Sequence, residues 1–150
     1  MELILWRHAD AEAGVRDSER RLSAKGLKQA ARMAKWLRAR IPKDALILVS
    51  PAKRAQQTAR ELDMKFKTVS EVGTSAAPED ILVAADWPEG NRTVVVVGHQ
   101  PTLGETVAWL MTGTKEQWTV KTGAVVWIAR RADLADAHTH LRAMISPDLL

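Results

Sequence analysis

The chain contains no cysteine and no tyrosine, and phenylalanine occurs once. Without a thiol it forms no disulfide, no thiolate nucleophile and no cysteine-ligated zinc site. No stretch approaches the roughly 20 apolar residues that a membrane-crossing helix needs. Only a few apolar residues precede Arg7, too few for a secretory signal core, so a cytoplasmic location with no membrane contact is expected. A run of charge of one sign is also missing. The 22 Lys and Arg outnumber the 18 Asp and Glu to leave a net charge of +4, and the cations are spread along the chain. That balance favours small anionic ligands and argues against nucleic acid, which is met by a basic arm or patch. There are no repeats, low-complexity tracts or linkers. The 150 residues suit one domain, 1–150, built on a single large core.

What the chain does have is a set of short apolar runs that stop abruptly. Leu3-Ile4-Leu5-Trp6 is cut off by Arg7-His8, the pattern of a strand buried on both faces of a parallel sheet. Ligands of such sheets bind beyond the carboxyl ends of the strands, where Arg7 and His8 fall. Ala45-Leu46-Ile47-Leu48-Val49 ends in Ser50-Pro51, and Thr93-Val94-Val95-Val96-Val97 ends in Gly98-His99-Gln100-Pro101.

Helices are expected between these strands. Ser23 is a suitable N-cap after the polar loop Asp10 to Arg21. Leu27, Ala31, Ala34, Leu37 and Ile41 then mark an inner face, which Pro42 ends. Ser50 with Pro51 predicts a cap and first helical position for a second helix carrying Ala55, Ala59 and Leu62 inward. Arg54 falls in its first turn, where the helix dipole favours an anion over a cation. Phe66 to Val69 reads as a short strand, and Pro78 opens a short helix to about Asp86. Pro101 starts another helix, with Leu103, Val107 and Leu110 inward, closed at Thr112-Gly113. Trp118 to Ala129 and Ala137 to Ile145 read as two strands joined by a charged turn at 130–136, short enough to pair antiparallel. The expected architecture is an α/β/α sandwich with a mainly parallel central sheet and helices on both faces.

In such a sheet Arg7, His8, Ser50, Arg54 and His99 lie along one edge. Two guanidinium groups, two imidazoles and nearby helix starts suit a tetrahedral phosphate. A neutral histidine adds nucleophilicity when its second ring nitrogen is held by a hydrogen bond.

Taken together, Leu5-Trp6-Arg7-His8-Ala9, the run Ser50 to Thr58, and Val97 to Leu103 resemble the histidine phosphatase superfamily. The loop Asp17-Ser18-Glu19-Arg20 and the chain length are similar to its SixA-type phosphohistidine phosphatase branch. Ala9 stands where the wider superfamily usually has glycine. The resemblance implies a phosphoglycerate mutase-like fold, with His8 as the nucleophile that becomes phosphorylated. Arg7, Arg54 and His99 would bind the transferring phosphoryl group, and no metal or other cofactor is implied. Glu71 is the first choice for a general acid and Asp17 the second, while Arg20 belongs to the same loop as a substrate contact. The implied partner is a phosphohistidine-bearing protein or a small phosphorylated substrate, and a phosphohistidine can depart as neutral imidazole without an acid. A phosphatase for small phosphomonoesters and a non-catalytic phosphate-binding module stand as alternatives. His138 and His140 are read as surface imidazoles rather than metal ligands. The six tryptophans are read as packing residues, with Trp87 and Trp118 expected to be partly exposed.

Overall fold

The computed structural model describes residues 1–131 and 138–150. Strands β1 (Glu2–Arg7), β2 (Leu46–Val49), β3 (Lys67–Thr68), β4 (Thr93–Gly98), β5 (Val125–Arg130) and β6 (Thr139–Ile145) form one sheet. Its order is β3-β2-β4-β1-β5-β6. The pairs β1–β4, β2–β4 and β2–β3 are parallel, and β1–β5 and β5–β6 antiparallel. Helices α1 (Ala24–Arg38), α2 (Lys53–Arg60), α3 (Pro78–Ala84) and α4 (Thr102–Thr112) cover it.

The alternation of strand side chains decides which helix packs where. Ile4, Trp6, Val49, Val95 and Val97 point to one face, against Met33 and Leu37 of α1 and Ala55 and Ala59 of α2. Leu3, Leu5, Val94 and Val96 point to the other, against Ile81 of α3 and Leu103 and Val107 of α4. Burying each large side chain of β1 contributes roughly 1.5–3 kcal/mol. Helices on both faces of a mixed sheet give the expected three-layer sandwich.

Register then sets the site. Arg7 is level with Gly98, and Val49 with Val97, so His8, Ser50 and His99 follow side by side just past the strands. His8 stays in the sheet through its backbone: its N–H donates to Gly98 O at 3.0 Å and its carbonyl accepts from Gly123 N–H at 3.0 Å.

Several expected boundaries moved, each for a local reason. The inner face of α1 is Gly26, Ala30, Met33, Ala34 and Leu37, whereas Ala31 is exposed and Leu27 is 46% exposed. A side chain at Gly26 would place its Cβ 1.9 Å from Asp10 O, so the helix turns its glycine, not Leu27, toward the loop. Helix α2 starts at Lys53 with Ala52 as N-cap. Ser50 is still strand-like, its N–H donating to Val97 O at 3.1 Å. The third strand shrinks to Lys67–Thr68. Trp118 to Ala124 is not strand, because side chains claim its backbone: Gln100 Nε2 donates to Trp118 O and Arg7 Nη1 to Val120 O, each at 2.8 Å. Ala137 and most of the charged turn at 130–136 lie outside the described residues. Trp87 and Trp118 are half-buried against the core on the α3–α4 face.

Candidate active site

The ends of β1 and β4, the start of α2 and the loop before α1 enclose a cavity of about 500 Å³. Arg7, His8, Asp17, Arg20, Arg54 and His99 all line it, with Asp10, Thr74, Gln100 and Thr122. His8, Arg54 and His99 are 7%, 5% and 4% exposed, so three polar side chains are buried at the open end of an apolar sheet. Such groups are costly to bury unless their hydrogen bonds are made.

His8 makes the decisive ones. Its Nδ1–H donates to Ala9 O at 2.7 Å. A carbonyl only accepts, so the proton is on Nδ1 and the lone pair is on Nε2. Arg54 Nε–H donates toward that Nε2 at 3.3 Å. Ala9 itself is fully buried, and its N–H donates to Thr58 Oγ1 at 3.0 Å. Thr58 Oγ1 in turn donates to Arg54 O at 2.7 Å, tying the nucleophile strand to α2. Among described non-glycine residues only Asp63 and Asp86 have positive φ, so Ala9 occupies a backbone region that any L-residue adopts.

His99 packs beside His8 with ring centroids 5.2 Å apart. Its Nε2 lies 2.7 Å from Ser50 Oγ, which also accepts from Ala52 N–H at 3.2 Å. His99 Nδ1 and Arg7 Nε are buried with no hydrogen-bond partner among the described residues. Burial is the largest cause holding both imidazoles neutral, bringing His8 to about 4 and His99 to about 3. Neighbouring cationic groups add to it: Arg54, Arg7 and Arg20 for His8, and the His8 imidazole first, then Arg54 and Arg7, for His99.

Asp17 reaches the cavity from a short 3-10 turn, Asp17–Glu19. Its carboxylate accepts from Arg54 Nη2 at 3.1 Å and Arg20 Nη1 at 3.2 Å, and its backbone oxygen from Arg54 Nη1 at 2.7 Å. The Arg54 hydrogen bond, followed by the one from Arg20, holds the carboxyl below its usual range. Asp17 is therefore ionised near neutral pH and has no proton to give. Glu71 is not brought to the cavity. It is exposed in the turn Ser70–Val72 and accepts from Ser70 Oγ at 3.3 Å. His138 and His140 are exposed at the far edge of the sheet, and no cluster among the described residues has three or more metal-binding side chains.

The supporting residues were only partly legible. Thr58, at the end of the run that begins at Ser50, ties β1 to α2, and Gln56 Nε2 donates to Ser50 O at 2.8 Å. Ser50 looked like a helix cap and is instead the partner of His99. Gln100 bridges Trp118 O and Gly104 N–H, and Val120 O anchors Arg7. No local pattern marks a carbonyl that a distant side chain will use.

The geometry agrees with what the chain is similar to. The sequence profile of the histidine phosphatase superfamily (branch 1) matches residues 3–77. The phosphohistidine phosphatase SixA of Escherichia coli is 34% identical over 122 residues, covering 75% of this chain and 76% of the relative. A SixA homolog of Haemophilus influenzae is also 34% identical, over 128 residues, 73% of this chain and 77% of its own. A solved structure of the protein histidine phosphatase SixA complexed with tungstate superposes with a TM-score of 0.80 at 26% identity, covering 99% of both chains. With its histidine, arginine and strand-end geometry in place, the chain belongs to the histidine phosphatase superfamily, in its SixA-type branch.

Proposed function

We propose that the protein is a phosphatase that removes the phosphoryl group from phosphohistidine in another protein, through a phosphorylated His8. The observation that carries the reading is the His8 tautomer: Nδ1–H fixed on Ala9 O leaves the Nε2 lone pair facing the cavity's guanidinium groups. In the first step Nε2 attacks phosphorus and the bond to the substrate's imidazole breaks. If the other nitrogen of that imidazole bears a proton, it leaves neutral and needs no acid. In the second step water attacks phospho-His8, the bond to Nε2 breaks, and the phosphate carries away the water's proton. Arg7 and Arg54 offset the charge on the equatorial oxygens, which is the largest catalytic contribution, and neutral His99 lies beside them as a further phosphoryl contact.

Two features favour phosphohistidine over an alcohol phosphate. An alkoxide leaves poorly unless protonated, yet Glu71 lies away from the cavity and Asp17 is ionised. The loop from Asp10 to Arg21 is short, and an open site admits a protein surface in the cytoplasm. The names of the SixA relatives point the same way.

The test is trapping. Wild-type protein mixed with a radiolabelled phosphohistidine protein and quenched in base should carry base-stable, acid-labile phosphate on His8. His8→Ala should carry none and lose turnover by more than about 10³-fold, with its melting temperature little changed. Label on another residue, or turnover surviving in His8→Ala, would sink the assignment.

A further inference from the structure

A second cavity, of about 440 Å³, adjoins the catalytic one, and the two share Arg7 and Thr122 in their walls. A third, of about 340 Å³, continues it along α1, sharing Lys25, Gln29, Pro147 and Asp148. Cations dominate this cleft: Arg7, Lys25 and Lys121 nearer the active site, then Lys28 and Arg32 farther along. Among the described residues Asp148 is the one acidic residue in either wall.

The charge is unusual for its setting. Helix α1 carries Lys25, Lys28, Arg32, Lys35 and Arg38 and no Asp or Glu. Lys25 with Lys28 and Lys28 with Arg32 are like-charged neighbours one helical turn apart, a destabilising arrangement. Lys25 also stands in the first turn, where the helix dipole opposes a cation. Among the described residues Lys25, Lys28, Arg32 and Lys121 form no ion pair. On the far face the protein does pair such a charge, Lys115 with Glu79. The cleft thus keeps a repulsive set of cations beside the site that binds the scissile group, and an anionic partner would relieve it.

We infer that this basic cleft docks an acidic segment of the phosphohistidine-bearing protein, holding carboxylates on Lys25, Lys28 and Lys121 while the phosphoryl group reaches His8. The inference rests on the function proposed above and names the surface that selects its substrate. Protein is favoured over nucleic acid for two reasons. The cleft opens into the catalytic cavity through Arg7 and Thr122, so it meets what surrounds the phosphohistidine. Trp6 and Trp127 are buried in one core and Trp36, Trp87 and Trp118 pack against the two cores, so none of these lines the cleft as a base-stacking platform.

The experiment compares two phosphohistidine peptides of one length, with Asp and Glu or with Asn and Gln flanking the phosphohistidine. The acidic peptide should have kcat/KM roughly 3- to 30-fold higher, mostly through KM, and raising salt should shrink the gap. The double variant Lys25→Gln/Lys28→Gln should lose most of that advantage while hydrolysing nitrophenyl phosphate at the wild-type rate. Equal kcat/KM for the two peptides in the wild type, or equal losses on both in the variant, overturns the docking surface. Binding of the unphosphorylated acidic peptide, read by fluorescence anisotropy, separates docking from reaction. If that peptide binds and the double variant weakens it while no phosphohistidine peptide is turned over, docking stands and the proposed function falls. If it does not bind, docking falls. Capture of phosphatidylserine vesicles or duplex DNA without the acidic peptide also overturns the inference.

Discussion

Arg54 grips Asp17 at two points, Nη2 on the carboxylate at 3.1 Å and Nη1 on the backbone oxygen at 2.7 Å. With Nε turned toward His8, every nitrogen of the guanidinium is engaged by the protein itself. A phosphoryl oxygen that binds Arg54 meets the two N–H groups left over on Nη1 and Nη2, beside the negative charge of Asp17. Asp17→Asn removes a competing negative charge while keeping the shape. Inhibition by inorganic phosphate should therefore strengthen by about 2- to 5-fold, the scale of a solvent-exposed ion pair. An unchanged or weaker inhibition constant would show that Asp17 does not stand in the phosphate's way.

Acid should act through the two buried imidazoles. Both are held below the ordinary 6.5, His8 at about 4 and His99 at about 3. The nucleophile is neutral His8, so kcat/KM for nitrophenyl phosphate, corrected for substrate ionisation, should stay level down to about pH 5. It should fall as pH drops through about 4, and a midpoint near 6.5 would contradict the burial argument. Stability follows the same sign. Between the folded and unfolded pKa values the unfolded chain binds more protons, so stability rises with pH. The contribution is complete above 6.5 and drains away as pH falls toward 4 and then 3. Melting temperatures at pH 7.5, 5.5 and 4.5 should decline in that order, and less steeply in His8→Ala.

Leaving groups report on the missing acid. Glu71 is exposed and bonded to Ser70, so Glu71→Gln should change kcat/KM by less than about 3-fold on phosphohistidine, aryl phosphate and alkyl phosphate alike. Loss of a true general acid costs ~10²–10⁴-fold. The wild type should turn over phosphohistidine fastest and alkyl phosphates slowest. Alkyl phosphate turnover outpacing phosphohistidine would favour the small-phosphomonoester reading.

Gly26 is the seat on which α1 meets the active-site loop. Gly26→Ala would push a methyl group to 1.9 Å from Asp10 O, and the helix must back away. The expected loss is about 1–3 kcal/mol, a drop of several degrees in thermal melts by circular dichroism. A melting temperature within ~1 °C of wild type would mean the contact relaxes at no cost.

Local signals carried the frame of the molecule. The apolar runs before Arg7, Ser50 and His99 defined three buried strands, because a strand covered by helices on both faces points every side chain into a core. The charged stops at their ends placed His8, Arg7 and His99 at one edge, and the helix start after Ser50 brought Arg54 there. What the chain could not reveal locally were contacts between distant backbone and side chains. Ser50 reads as a cap from its own neighbours, yet its hydroxyl turns to His99 because strand register sets β2 beside β4. Trp118 to Val120 reads as strand, yet its carbonyls are taken by Gln100 and Arg7. By sequence position Glu71 ranks ahead of Asp17 as a loop acid, yet only Asp17 reaches the cavity, because the Asp10–Arg21 loop closes over Arg54. The sequence by itself determined the residues that can do phosphate chemistry and the strands that carry them, since both follow from side-chain type and period. Tertiary structure alone decided which nitrogen of His8 keeps its lone pair and which carboxylate Arg54 holds. Hydrogen-bond direction and burial exist only once the segments have met.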